Sequence, residues 1–170
     1  MDHVARILEQ WRRERPDLDV GPMGIIQRHP LRFVRSSSAS MPTPVIREIE
    51  AVLASHGLNR ASFDVLATLR RAGDPFRLSP GDLLAATMVT SGTMTNRIDQ
   101  LVKQGLVARL PNPEDGRSVL IGLTDPGLEL INRAVTDHVA NQHRVTAMLE
   151  HEEFRQLDAL LATYLERIEG

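Results

Sequence analysis

Seven polar side chains fall within one short run of this chain: Ser91, Thr93, Thr95, Asn96, Arg97, Gln100 and Lys103. Hydroxyl and amide groups of this length hydrogen-bond to base edges, and the two cations can meet phosphates. The set therefore suits a helix lying in the major groove of DNA. Its spacing supports that reading. In SGTMTNRIDQLVKQG, Met94, Ile98, Leu101 and Val102 share one helical face, which leaves Thr93, Asn96, Arg97, Gln100 and Gln104 on the other, a face nearly free of acid. Downstream, Arg117 stands near the tip of a PNPEDG turn between two apolar runs. There it would enter a minor groove or lie along a phosphate run, while Asp115, two residues earlier, would orient the turn by local pairing.

The elements around these residues carry their own signals. In LSPGDLLAAT, Ser79 fits an N-cap, Pro80 the first helical position and Asp82 the acid of a capping box, which predicts a short helix before the polar one. Gly105 stops the second helix, LVARL leaves as a strand, and RSVLIGL returns to complete a wing. Before this module, Val4, Ile7, Leu8 and Trp11 predict a helix from residue 2 to about 14, ended by Pro16. A linker, PDLDVGP, follows. A short helix from Met23 to Arg28 is interrupted at Pro30, and RSSSASMPTP, from Arg35 to Pro44, reads as loop. Helical periodicity returns from Val45 to His56 with Gly57 as its stop. Asn59 then caps a helix carrying Phe63, Leu66, Leu69 and Arg70.

After the wing, Thr124 caps a long helix with Pro126 in its first turn, and a last helix from about Glu152 carries Phe154, Leu157, Leu160, Leu161, Tyr164, Leu165 and Ile168. A core already closed by the middle helices has little use for these stripes, so they and the first helix should pack against a second copy. The expected class is mainly α with a small β-wing. Residues 1–58 supply dimerisation and ligand-site helices with a loop-like 30–44 segment, 59–123 form a winged helix-turn-helix DNA-binding region, and 124–170 form C-terminal dimerisation helices.

Composition narrows the alternatives. A chain of 170 residues, 42% hydrophobic and 25% charged, is long enough to bury a sound core. The formal net charge is -2, and between Arg77 and Arg117 five cations (Arg77, Arg97, Lys103, Arg109, Arg117) face four acids (Asp82, Asp99, Glu114, Asp115). DNA affinity should therefore lean on two copies of the site. With no cysteine, disulfides, thiolate metal sites and thiol oxidation switches are excluded. His138 and His143 lie five apart and His143 and His151 eight apart, neither being the i, i+4 spacing of a helical zinc pair, so no metal or other cofactor is expected. No nucleophile-and-base pairing or phosphate loop stands out, which argues against an enzyme. The N-terminal stretch lacks a signal-length apolar core and no segment approaches a membrane span, so no membrane partner is expected and the cytoplasm is the expected location.

Asp115 and Arg117 in D-x-R, followed by LTDPG at Leu123 to Gly127, resemble the wing signature of the MarR family of bacterial winged-helix regulators. The similarity covers most of the chain. It departs at Gly116, where many relatives carry a second arginine, and across Arg28 to Pro44, where relatives usually carry one long helix. Taken singly, Trp11 reads as a packing anchor, Asp64 as a solvated acid near a helix N-terminus, and Arg109 as a cation on an apolar strand that must reach solvent or meet an anion. Together with Arg97 they resemble the ligand-sensing set of the urate-responsive branch of that family, and FDVLATLRRAG and MTNRI resemble the segments that carry it there.

The resemblance implies that Arg109 receives the charge of urate and Trp11 walls its ring. Asp64 would be pushed away and Arg97 would feel the same charge, shifting the recognition helix. It implies a homodimeric repressor, its two recognition helices about 34 Å apart on a pseudo-palindromic operator, released by urate or a related purine anion. Three alternatives stand beside it: a non-purine effector such as a tricarboxylate or phenolic acid, a ligand-independent architectural DNA binder, and a docking module for a protein partner.

Overall fold

The computed structural model describes residues 2–28, 44–87, 91–116 and 118–169. Of the expected features, the loop-like stretch before Pro44 and the wing-tip Arg117 lie outside the described residues. The chain divides into two compact units, one formed by Met1–Val52 with Thr136–Gly170 and the other by Leu53–Val135. The architecture is mainly helical with a small antiparallel sheet, as the sequence leads one to expect.

The first unit begins with helix α1 (His3–Glu14), whose N-cap Asp2 accepts a hydrogen bond from the Ala5 amide at 2.6 Å. Val4, Ile7, Leu8 and Trp11 form its buried face. Helix α2 (Gly21–Arg28) starts two residues before Met23, because the Asp19 side chain accepts from the Gly21 amide and the Val20 carbonyl from the Met23 amide. Its last residue, Arg28, is buried. The guanidinium donates to Asp2 through Nε at 3.1 Å and to Asp158 through Nη1 at 2.5 Å. Asp158 belongs to the last helix, α8 (His151–Glu169), and its approach requires the small residue opposite. A Cβ on Gly24 would stand 2.6 Å from Asp158 Oδ1. Three helices are thus tied by one buried cation between two carboxylates.

Helix α3 (Pro44–Ser55) ends at Gly57, whose φ of 69° a side chain would resist. The long helix α7 (Asp125–Thr146) buries Ile131, Ala134, Val135 and Val139 as its periodicity predicts. It also buries His138, Asn141, Gln142 and Thr146, polar residues that the spacing alone would leave in water. Hydrogen bonding offsets part of that cost: His138 Nε2 lies 2.9 Å from Gln142 Nε2, and Thr146 Oγ1 donates to the Gln142 carbonyl. On α8, Leu165 is buried, whereas Leu160, Tyr164 and Ile168 recur at intervals of four along an exposed stripe.

The second unit is built on helix α4 (Arg60–Arg71), capped by the Asn59 side chain accepting from the Ser62 amide. Phe63, Val65, Leu66 and Leu69 form its core face, but Arg70 and Arg71 are buried too. Arg70 donates to Asn132 Oδ1 of α7 at 2.9 Å and lies over the Phe76 ring at 5.0 Å, while Arg71 donates to the Ala86 carbonyl at 3.1 Å. The sheet order is β1 (Arg77–Leu78), β3 (Val119–Leu123), β2 (Val107–Pro111), all antiparallel. Strand β1 was not expected from the sequence. Its Arg77 pairs with Gly122, where the missing side chain admits the arginine stem.

Where the wing ends, Thr124 ties three segments together. Its hydroxyl donates to the Gly105 carbonyl at 2.6 Å and accepts from the Gly127 amide, and its own amide donates to the Leu106 carbonyl. Gly127 lies against that same carbonyl so closely that a Cβ would be 1.9 Å from the oxygen.

Candidate nucleic-acid interface and effector residues

Two helices and a hairpin of the second unit position the residues singled out above. Helix α5 (Pro80–Ala86) is started by Ser79, whose Oγ accepts from the Asp82 amide at 3.0 Å. Asp82 completes the cap differently from a reciprocal box, its carboxylate accepting the Ser79 hydroxyl at 2.7 Å. The far end of α5 is held by Arg71 at the Ala86 carbonyl, so α4 fixes where the chain leaves α5.

Helix α6 (Ser91–Lys103) follows, with Met94, Ile98 and Leu101 buried against the unit. Because these residues turn inward, Thr93, Thr95, Asn96, Gln100 and Lys103 are exposed and Arg97 is partly exposed. Ser91 opens the helix. Among the described residues Arg97 makes no hydrogen bond or ion pair, so its charge is uncommitted. This face offers hydroxyl, amide and cationic groups to a concave partner wide enough to admit a helix, as a major groove is. Gly105, at a φ of 71°, ends the helix and turns the chain into β2.

The wing register runs from Val107 opposite Leu123 to Pro111 opposite Val119. Its loop is tied by Asn112, whose amide donates to the Ser118 carbonyl and whose side-chain Nδ2 donates to Ser118 Oγ. Asp115 takes part through its backbone: its carbonyl accepts from both the amide and the hydroxyl of Ser118.

The four residues of the expected effector set are distributed unevenly. Asp64 is on α4, half-buried, with its carbonyl accepting the Thr68 hydroxyl. Arg97 is on α6 and Arg109 on β2, all three within the second unit. Trp11 belongs to the first unit and is only 2% exposed. The anion that Arg109 meets is Asp99 of α6, Nη2 to Oδ1 at 2.6 Å, both side chains being about two-fifths exposed (43% and 44%). Asp99 was counted in the sequence only as one acid among four. Its role depends on a helix-to-strand turn that brings residues ten apart into contact, a geometry that periodicity does not report. Arg71 was missed for a similar reason, since its partner is a backbone carbonyl.

A family model described as MarR family matches residues 56–118. Over 158 residues the chain is 40% identical to the HTH-type transcriptional regulator PecS of Dickeya dadantii, an alignment covering 93% of this chain and 90% of that protein. Among solved structures, wild-type MarR from E. coli in its apo form superposes with a TM-score of 0.61 at 31% identity, covering 71% of this chain and 88% of that one. A mutant MarR from E. coli complexed with operator DNA gives a TM-score of 0.63 at 25% identity, covering 91% and 97%.

Proposed function

The chain belongs to the MarR family, and from that premise we propose that it is a dimeric, effector-responsive DNA-binding regulator, a repressor released from its operator by urate or a related purine anion. The observation that carries the DNA-binding part is the two-sided character of α6. Met94, Ile98 and Leu101 anchor it, and Thr93, Thr95, Asn96 and Gln100 face outward, with Arg97 and Lys103 beside them. Ser91 at the helix start and the wing residues Asp115 and Arg117 complete the proposed contact set. The likeness to a MarR structure complexed with operator DNA supports the same use of the fold. In this reading residues 59–123 bind DNA, while 1–58 and 124–170 build the dimer, for which the exposed Leu160, Tyr164 and Ile168 stripe of α8 is suited. Such a regulator works in the cytoplasm, beside its DNA.

The effector part rests on chemistry. Arg109 offers urate a guanidinium, Trp11 an aromatic wall, and Asp64 and Arg97 are the charges an arriving anion would displace or attract. Displacement of Asp64 has a route onward, because its helix holds the end of α5 through Arg71. The burial of Trp11 favours a packing role for that indole, so its emission is the informative probe. A non-purine anion would use the same arginine.

The test uses a duplex selected from a random-sequence pool by the wild-type protein and followed by fluorescence anisotropy. Asn96→Ala is expected to weaken binding and relax base preference by about 1–3 kcal/mol at the contacted position. Undiminished binding and preference would overturn the reading. A saturable change in Trp11 emission on urate addition, corrected for absorption by urate and abolished by Arg109→Ala, supports the effector; its absence points to another anion or to none.

A further inference from the structure

Arg109 is already occupied. The carboxylate it holds at 2.6 Å belongs to the helix that faces DNA, and that carboxylate has no other ion-pair partner among the described residues. Lys103 is one helical turn further along α6, the spacing at which an i, i+4 pair could form, yet the pair that forms crosses to the wing strand instead. We propose that Asp99 is a masked charge: Arg109 neutralises it while the protein reads DNA, and loss of that arginine to another anion exposes a negative charge on the recognition helix.

The electrostatics follow from position. Asp99 lies two residues after Arg97 and one before Gln100, within the helix whose other exposed side chains are neutral or cationic. Paired with Arg109 its charge cancels at short range. Unpaired, it stands within reach of the phosphate field, where a carboxylate is repelled, over a screening distance of about 10 Å at 0.1 M salt. One contact holds the pair, from Nη2 to Oδ1, and an anion that draws the guanidinium to itself weakens it. An anionic effector at Arg109 brings a second negative charge to one cation, so the Asp99 charge is no longer fully compensated and effector capture is linked to charge exposure. This regulatory step rests on the effector reading given above; the mask itself does not. Asp99 is accordingly a positioning and charge-setting residue, acting on DNA through Arg109.

The test is a double-substitution cycle on the full dimeric protein with the selected duplex. Arg109→Gln is expected to weaken operator binding in the wild-type background, by up to about fivefold from the exposed pair. Asp99→Asn, which keeps an amide oxygen to accept from the arginine but removes the charge, is expected to tighten binding. Combined with Arg109→Gln it is expected to restore binding to about the wild-type level, because wild type and the double variant both carry no net charge at this pair. Both single-substitution shifts should shrink as salt rises, which a purely structural contact would not do, and thermal midpoints should stay together across the four proteins. Failure of Asp99→Asn to rescue Arg109→Gln, or shifts indifferent to salt, would overturn the proposal.

A second arm titrates urate into wild type and Asp99→Asn. The proposal expects the variant to bind urate more tightly by a similar factor and to be released less from the duplex. Rescue in the cycle with no urate binding to either protein would overturn the urate reading while supporting the mask. Urate binding with no rescue in the cycle would do the reverse.

Discussion

Replacing Gly127 by alanine sets two physical effects against each other. Gly127 sits in the first turn of α7, and intrinsic helix propensity alone makes Gly→Ala stabilising by about 1 kcal/mol. Sterics oppose it. The added Cβ would stand 1.9 Å from the Leu106 carbonyl oxygen, 2.9 Å from its carbon and 3.2 Å from its Cα, and these are backbone atoms that no rotamer change can move aside. To clear the methyl the carbonyl must retreat by roughly an ångström, an overpacking strain of about 1–3 kcal/mol. That carbonyl accepts from the Thr124 amide, and the one before it from the Thr124 hydroxyl, so one or both bonds are lost at about 1 kcal/mol each.

The net expectation is a loss of about 1–4 kcal/mol. Urea unfolding followed by far-UV circular dichroism, at one fixed protomer concentration because folding and association are linked, reads it directly. Gly116→Ala is the control: its Cβ meets nothing within 4 Å, and the change should stay within about 0.5 kcal/mol. A Gly127→Ala protein as stable as wild type, or more so, would refute the account of why glycine stands after Asp125 and Pro126.

Two further outcomes follow from the first unit. Arg28→Met leaves the Asp2 carboxylate, 2% exposed, without its cation; breaking a buried pair costs about 3–5 kcal/mol, and because Asp158 is 36% exposed and can regain water, the lower end is expected in the same unfolding assay. Leu160→Glu combined with Tyr164→Glu places two charges on the exposed stripe of α8 and should shift the protein to monomer in sedimentation velocity with helicity retained, whereas an unchanged dimer would show that the second copy docks elsewhere.

What could be read from the sequence was local. Ser79, Asn59 and Thr124 cap helices in the structure because capping is decided by a side chain and an amide two or three residues on. Gly57 and Gly105 end helices at positive φ for equally local reasons. The face of α6 was legible because one period sorts Met94, Ile98 and Leu101 from Thr93, Asn96 and Gln100. What stayed hidden depends on distant partners. Asp2 and Arg28 are 26 apart and Arg28 and Asp158 are 130 apart, so nothing in either neighbourhood marks them as buried. Arg70 and Arg71 look like the basic last turn of an exposed helix until Asn132 and the Ala86 carbonyl are found beside them. His138 and Gln142 share a hydrogen bond inside α7, and a polarity pattern counts them as surface. Strand β1, with two residues, is too short to have a period at all.

The order of the small sheet bears on what the protein does when crowded. Its two outer strands are β1 and β2. An outer strand invites a stranger's backbone to add on, the first step of aggregation, unless it is short, charged or interrupted. Here one edge is only two residues long and carries Arg77, and the other carries Arg109 and finishes in Pro111, which has no amide hydrogen to donate. The first rim is short, and the second is charged and cut at its end by proline. Chains that meet through their wings therefore gain little by pairing strand to strand.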